Sequence, residues 1–203
     1  MIDATGFITA GGRSSRMGTD KAWLELGGRA MIEHVIAALV PVTTSVAIIA
    51  NGPEYARLGF PVFADEQTGI GPLEAIRTAL ASSNTSCIVL AGCDLPFVTA
   101  ELFRFLLSIP GDHQAVVPIG ADGKLEPLCA IYRSGALLVV TSLIAQGERK
   151  ISLLFDRLPT RVVAFEELRH LEGSELFFEN VNTPEDYARA SERLGPRTTR
   201  IPK

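Results

Sequence analysis

Arg13, Arg16 and Lys21 lie close together among glycines in "AGGRSSRMGTDKAWLELGG" (Ala10–Gly28), directly after the apolar run "GFITA". A nucleoside triphosphate brings roughly four negative charges, and close donors must neutralise them because distant ones are screened by salt. Glycines let backbone N–H groups approach phosphate oxygens. The stretch is not a P-loop, since Gly18 is followed by Thr19, and it lacks the GxGxxG of a dinucleotide fold. A plain strand-to-helix connection with solvated charges is the competing reading. The cation cluster placed immediately after a buried strand favours phosphate binding.

Asp94, in "CDLPF", ends an apolar strand and is the second chemical candidate. A carboxylate there suits Mg²⁺, which typically takes one or two protein carboxylates plus substrate phosphates and water. It could instead serve as a turn former before Pro96; with the glycine loop beside it, metal binding leads. His34 lies in a helical pattern, and His113 and His170 lie in polar connections, so each reads as structural or solvated. Cys87 and Cys93 read as small apolar filling. No spaced Ser/His/Asp or Cys/His arrangement stands out. That fits a nucleotidyl transfer, which runs on positioning and charge neutralisation without a protein nucleophile. An acceptor that is itself a phosphate is already ionised near neutral pH and needs no strong general base.

These residues need a scaffold, and the chain reads as strands alternating with helices. "GFITA", "SVAIIAN" (Ser45–Asn51), "PVFAD" (Pro61–Asp65) and "CIVLAGCD" (Cys87–Asp94) read as strands. "MIEHVIAALV", "GPLEAIRTALAS" and "TAELFRFLLS" read as helices, the second entered through Pro72 and the third capped by Thr99. In the second half, Gln114–Tyr132 reads as strand, polar turn at Asp122–Gly123, strand. Helices follow at Gly135–Gln146 and about Ile151–Leu158, then a strand at Thr160–Phe165. A last helix has Thr183 as N-cap and Pro184 at its first position. The expected fold class is α/β, three-layer α/β/α with a mostly parallel central sheet. Ligands in such sheets sit beyond the carboxyl ends of the strands. The glycine loop, Asn51, Asp65 and Asp94 each follow a predicted strand, which is the strongest residue-level sign of a site.

The bulk properties bound the rest. At 203 residues the chain suits one domain over 1–195, with a frayed tail at 196–203. A net charge of −4 argues against a general affinity for nucleic acid or anionic membrane. The three cysteines (Cys87, Cys93, Cys129) lack C-x-x-C spacing, which points to a reducing interior. No signal peptide and no membrane-spanning run is visible, so a cytoplasmic protein is expected.

The motifs, in order, resemble those of molybdenum cofactor guanylyltransferases. "TAGGRSSRMGTDKAWLELGGRAMIEHV" is similar to the family's opening signature AGGxSxRMGxDKxxLxxxG. Asn51, "DEQTGIGPLEAI", "CDLPF", "EPLCAIY" and "NVNTPEDY" follow in the family's order, covering nearly the whole chain. The resemblance implies a glycosyltransferase-A-like nucleotidyltransferase fold. It also implies the reaction of GTP with molybdenum-molybdopterin to give the guanine dinucleotide cofactor and pyrophosphate, with Mg²⁺ required. By motif position, Thr9, Ala10, Gly11 and Gly12 would approach the nucleotide, and Arg16 and Lys21 would neutralise the triphosphate as catalytic cations. Asn51 and Asp65 would contact base or ribose, Asp94 would hold the metal, and Asn180 and Asn182 would stand on the acceptor side. Hand-over from the molybdenum-insertion protein and delivery to an apo-enzyme or its chaperone are implied partners.

Two positions depart from the family pattern. Thr9 replaces the apolar residue usual before AGG, and Glu74–Ala75 stands where Ala-Gly often follows "GPL". Ala75 adds a methyl group near the implied nucleotide edge, which either tightens the pocket or marks a relative with another acceptor. The rival functions are a cytidylyltransferase or sugar-phosphate nucleotidyltransferase of the same fold, and a nucleotide-binding regulator without catalysis. Retention of Arg16, Lys21 and Asp94 argues against the last.

Overall fold

The apolar run after the N-terminus forms β1 (Ala4–Thr9), and beyond the glycine loop comes a 3₁₀ turn at Lys21–Trp23. A small hairpin of β2 (Glu25–Leu26) and β3 (Arg29–Ala30) leads into α1 (Met31–Leu39). Next are β4 (Ser45–Ile49), a 3₁₀ helix at Pro53–Leu58, β5 (Val62–Phe63), α2 (Pro72–Ser82), β6 (Cys87–Gly92) and α3 (Ala100–Ser108). The second half supplies β7 (Ala115–Pro118), β8 (Cys129–Arg133), α4 (Ala136–Ala145), α5 (Ser152–Arg157) and β9 (Thr160–Val163). It ends with α6 (Phe165–Leu168), a 3₁₀ turn at Ser174–Leu176 and α7 (Pro184–Leu194). This computed structural model describes residues 3–11, 20–67 and 70–194. Gly12, Arg13 and Arg16 of the opening loop and the tail at 196–203 lie outside the described residues.

Among the described residues the main sheet has seven strands in the order β5-β4-β1-β6-β8-β7-β9. β1 is flanked by β4 and β6, both parallel to it, with Phe7 opposite Ala47 and Leu90. Strands covered on both faces must be apolar throughout, and every residue of β6 is buried. Because side chains alternate, Phe7, Ile88, Leu90 and Tyr132 pack on one face with Leu73 and Ile76 of α2 and Val140 and Leu143 of α4. Ile8, Val89, Ala91 and Ile131 pack on the other with Val35 and Leu39 of α1 and Leu102 and Phe103 of α3. Gly6 permits the close approach of α1, since a Cβ there would lie 3.3 Å from the Leu39 side chain. Three layers result, as the sequence pattern implies.

The largest topological difference from the sequence reading is β8. Gln114–Tyr132 does hold two antiparallel strands, with Ala115 opposite Tyr132. Yet β8 inserts between β6 and β7, antiparallel to both. An apolar run does not encode strand direction, so alternation alone left this open. The helix starts follow local chemistry. The Thr99 hydroxyl accepts from the Leu102 N–H at 3.3 Å, and the Thr183 hydroxyl accepts from the Asp186 N–H at 3.1 Å. α7 then packs on the small hairpin: Val181 and Ala190 join Leu26 and Met31 in a separate cluster, and the Tyr187 hydroxyl donates to the Glu25 carbonyl at 2.7 Å. This docking brings Asn182 of the last loop to Lys21.

Candidate functional site

Beyond the carboxyl ends of β1, β4, β5 and β6 opens a cavity of about 820 Å³. Thr9, Ala10, Gly11, Lys21, Asn51, Asp65 and Asp94 all line it. Those are the sequence-predicted nucleotide residues, apart from Gly12 and Arg16, which lie outside the described residues. Backbone bonds continue the sheet just past the strand ends: Ala10 N–H donates to the Ile49 carbonyl and Cys93 N–H to the Thr9 carbonyl, both at 2.9 Å. Gly11 then leaves the sheet with φ +73°, a conformation that disfavours any side chain. The start of α2 meets the same space through Gly71, Pro72 and Ala75.

Lys21 is the hub. Its ammonium donates to Asp94 Oδ2 and to Asn182 Oδ1, each at 2.7 Å. The Lys21 and Asp94 side chains keep 18% and 20% of their exposure, so both remain reachable by a ligand. Val181 N–H donates to the Asp94 carbonyl at 2.9 Å, which fixes the last loop to the end of β6. The two late asparagines therefore part company. Asn182 meets Lys21, while Asn180 lines a neighbouring cavity of about 450 Å³ with Gly120, Asp122, Glu126 and Phe178.

Asp94 presents a carboxylate to the cavity that could take part in holding a divalent cation. Gly92 leaves a cradle for it, since a Cβ there would stand 2.5 Å from Asp94 Oδ1. Among the described residues no group of three or more His, Cys, Asp or Glu could hold a metal alone. A lone carboxylate could hold Mg²⁺ only with phosphates and water completing the shell. Cys93 sits beside it, but burial and then the Asp94 charge push its thiol up to about 12. It is a neutral filler at physiological pH. Asp65 accepts from the Thr78 hydroxyl at 3.0 Å, and burial raises its carboxyl above the ordinary value.

The departure at Glu74–Ala75 resolves into two roles. Ala75 faces the cavity. Glu74 is buried, 1% exposed, and accepts from Arg77 Nε at 3.0 Å, Arg77 Nη2 at 2.6 Å and the Gln67 N–H at 3.1 Å. It thus ties α2 to the segment carrying Asp65 and Gln67. Hydrogen bonds from Arg77 hold its carboxyl below the ordinary value despite burial. Its contribution to stability is therefore present above the unfolded-state carboxylate range and fades as pH falls through the depressed folded value. Glu74→Ala leaves Arg77 without its buried partner and is expected to cost about 3 kcal/mol in urea unfolding at pH 7. The deficit should shrink in acid.

Several residues at these cavities carried no assigned role in the sequence. Gln67, Leu128 and Arg149 line the larger one, Arg149 arriving from the loop between α4 and α5. Glu126, in "EPLCAIY", faces the smaller one, and burial followed by Asp122 and Asp94 raises its carboxyl to about 7. The motif marked the stretch without marking the atom. His34 lies 2.9 Å from the Leu26 carbonyl and His170 packs edge-on against Phe105, so both are structural as expected.

With that geometry in hand, the likenesses to known proteins are specific. Residues 6–162 match the family described as a MobA-like NTP transferase domain. A "probable molybdenum cofactor guanylyltransferase" of Carboxydothermus hydrogenoformans is 39% identical over 187 residues, 92% of this chain and 94% of the relative. The molybdenum cofactor guanylyltransferase of Shewanella sp. strain MR-4 is 34% identical, covering 95% and 96%. Among solved structures, molybdopterin-guanine dinucleotide biosynthesis protein A from Archaeoglobus fulgidus superposes with a TM-score of 0.78 at 27% identity, covering 93% of this chain and 97% of that one.

Proposed function

The chain belongs to the MobA-like NTP transferase family, and from that premise we propose that it transfers GMP from GTP to the terminal phosphate of molybdenum-molybdopterin. The observation that carries this reading is the convergence of Gly11, Lys21, Asn51, Asp65 and Asp94 on one cavity, with Lys21 bonded to Asp94. The names of the relatives, guanylyltransferases of the molybdenum cofactor, support the choice of donor and acceptor.

In the reaction an oxygen of the acceptor phosphate bonds to the α-phosphorus, and the bond from α-phosphorus to the β-bridging oxygen breaks. Pyrophosphate leaves with the electron pair. Lys21, with Arg16, neutralises the leaving charge. Backbone at Thr9, Ala10 and Gly11 lines the cavity that would take the nucleotide, and Asn51 and Asp65 offer acceptors to guanine N–H donors or to ribose hydroxyls. Asp94 would hold Mg²⁺, which when bound supplies further neutralisation of the phosphates. Asn182 holds Lys21 in place through its side-chain oxygen, and Asn180 borders the adjoining space. No protein nucleophile is needed, consistent with the raised Cys93 thiol.

The same reading puts the protein in the cytoplasm, receiving its acceptor from a molybdenum-insertion protein and passing product to an apo-enzyme or its chaperone. The buried free thiols of Cys87, Cys93 and Cys129 are in keeping with a reducing compartment. Among the described residues no helix is long and apolar enough to cross a membrane.

The test is incubation with GTP, Mg²⁺ and molybdenum-loaded molybdopterin, followed by mass analysis of the released cofactor. A guanine dinucleotide is the expected product. In parallel, calorimetric titration with GTP, CTP, UTP and ATP in Mg²⁺ should give GTP the tightest binding. A preference for CTP or UTP would transfer the protein to the cytidylyl or sugar-phosphate branch of the fold.

A further inference from the structure

The described chain resumes after the glycine loop at Asp20, and this residue is held from two sides. Its Oδ1 accepts from the Ala22 N–H at 3.1 Å, capping the 3₁₀ turn that carries Lys21. Its Oδ2 accepts from the Tyr55 hydroxyl at 2.5 Å. Tyr55 lies on the 3₁₀ helix after β4 and is 1% exposed. Its ring packs on Trp23 at 5.2 Å between centroids, and the Arg57 guanidinium covers the other partner, 3.6 Å from the Trp23 ring centre. The same hydroxyl is the nearest atom to the space beside Gly11, 3.8 Å from where a Cβ would stand. One phenol therefore touches the residue that follows the loop and borders the residue that precedes it.

We propose that Tyr55 and Asp20 form a clamp that positions Lys21, so that the ammonium holds its place between Asp94 and Asn182. Both oxygens of Asp20 are committed, one to the turn and one to Tyr55. Lys21 extends from that turn to two partners on distant parts of the chain. A cation on a long flexible stem loses position readily unless its backbone is fixed. Burial, and then Asp20 itself, keeps the phenol protonated far above neutral pH, so the donor persists across the working range. Neither residue touches a reacting group, so both act through Lys21. The role in turnover rests on the transferase reading above, whereas the placement of Lys21 does not.

The test combines two readouts on Tyr55→Phe and Asp20→Ser. Phenylalanine keeps the ring against Trp23 and loses only the hydroxyl. Serine still caps the Ala22 N–H but is too short to reach Tyr55. The first readout is the acylation rate of Lys21 by an N-hydroxysuccinimide ester, followed by mass spectrometry with Lys124 as internal reference. Lys21 should label several-fold faster in both variants while Lys124 stays constant. The second is a double-mutant cycle: each variant should lower kcat about tenfold with Lys21 present and under twofold in the Lys21→Ala background. Unchanged Lys21 labelling overturns the clamp whatever the activity does, and so does an equal fall in kcat on both backgrounds. Faster labelling in a protein that forms no dinucleotide would leave the clamp standing and remove the transferase reading instead.

Discussion

Lys21→Ala is expected to lower kcat for dinucleotide formation by about 10²–10³-fold while the protein stays folded, the size seen when one preorganised donor to developing charge is removed. The ammonium is the cation that the described structure brings within 2.7 Å of Asp94, and it stands at the junction between the first loop and Asn182. Pyrophosphate departure builds negative charge, so a donor fixed before the reaction acts more on the transition state than on the bound nucleotide. The fall should therefore appear chiefly in kcat, with a smaller change in KM for GTP. Stability should barely move, since a partly exposed ion pair contributes about 0–1 kcal/mol. Lys21→Arg should not restore the rate, because a planar fork cannot replace a compact point charge between two acceptors 2.7 Å away. Steady-state pyrophosphate release and thermal unfolding read both quantities. Full turnover in Lys21→Ala would remove the residue from the mechanism.

Asp94→Asn should cost at least as much, about 10³-fold or more in kcat, and in a different manner. Asparagine keeps the shape and can still accept from Lys21, so the local bonds survive. Lost is the carboxylate charge that would hold Mg²⁺, the one feature Asn cannot supply. The residual activity should demand far more Mg²⁺ than the unmodified protein does. The backbone bond from Val181 N–H to the Asp94 carbonyl does not involve the side chain, so the last loop should stay docked. A Mg²⁺ titration of pyrophosphate release checks this. A variant with unaltered rate and unaltered Mg²⁺ dependence would mean that Asp94 only orders the end of β6.

Much of this arrangement was legible in the sequence, for identifiable reasons. Parallel strands buried on both faces read as apolar runs, so β1, β4 and β6 fell where expected, and residues at their carboxyl ends line the larger cavity. Caps at Thr99 and Thr183 and the proline at the start of α2 are local signals, written within a few residues. The short elements were illegible. β2, β3 and the 3₁₀ turns at Lys21–Trp23 and Pro53–Leu58 are too brief to show periodicity. Tertiary packing holds them: α7 covers the hairpin, and Trp23 and Tyr55 stack the two turns on each other. Nor could spacing reveal that Asn182 bonds Lys21 while Asn180 faces another cavity, since both depend on α7 docking on the small hairpin. Glu74 is the sharpest instance. At the sequence level it marks only a departure from "GPLAG", whereas in the fold it is a buried carboxylate whose charge is balanced by Arg77 three residues on.

The most direct measurement is a crystal structure with Mg²⁺ and a non-hydrolysable GTP analogue. The triphosphate should run past the Gly11 amide with its outer phosphates on Lys21, a metal ion on the Asp94 carboxylate, and the base or ribose against Asn51 and Asp65. A nucleotide bound elsewhere, or one whose phosphates contact neither Lys21 nor a metal on Asp94, would contradict the account.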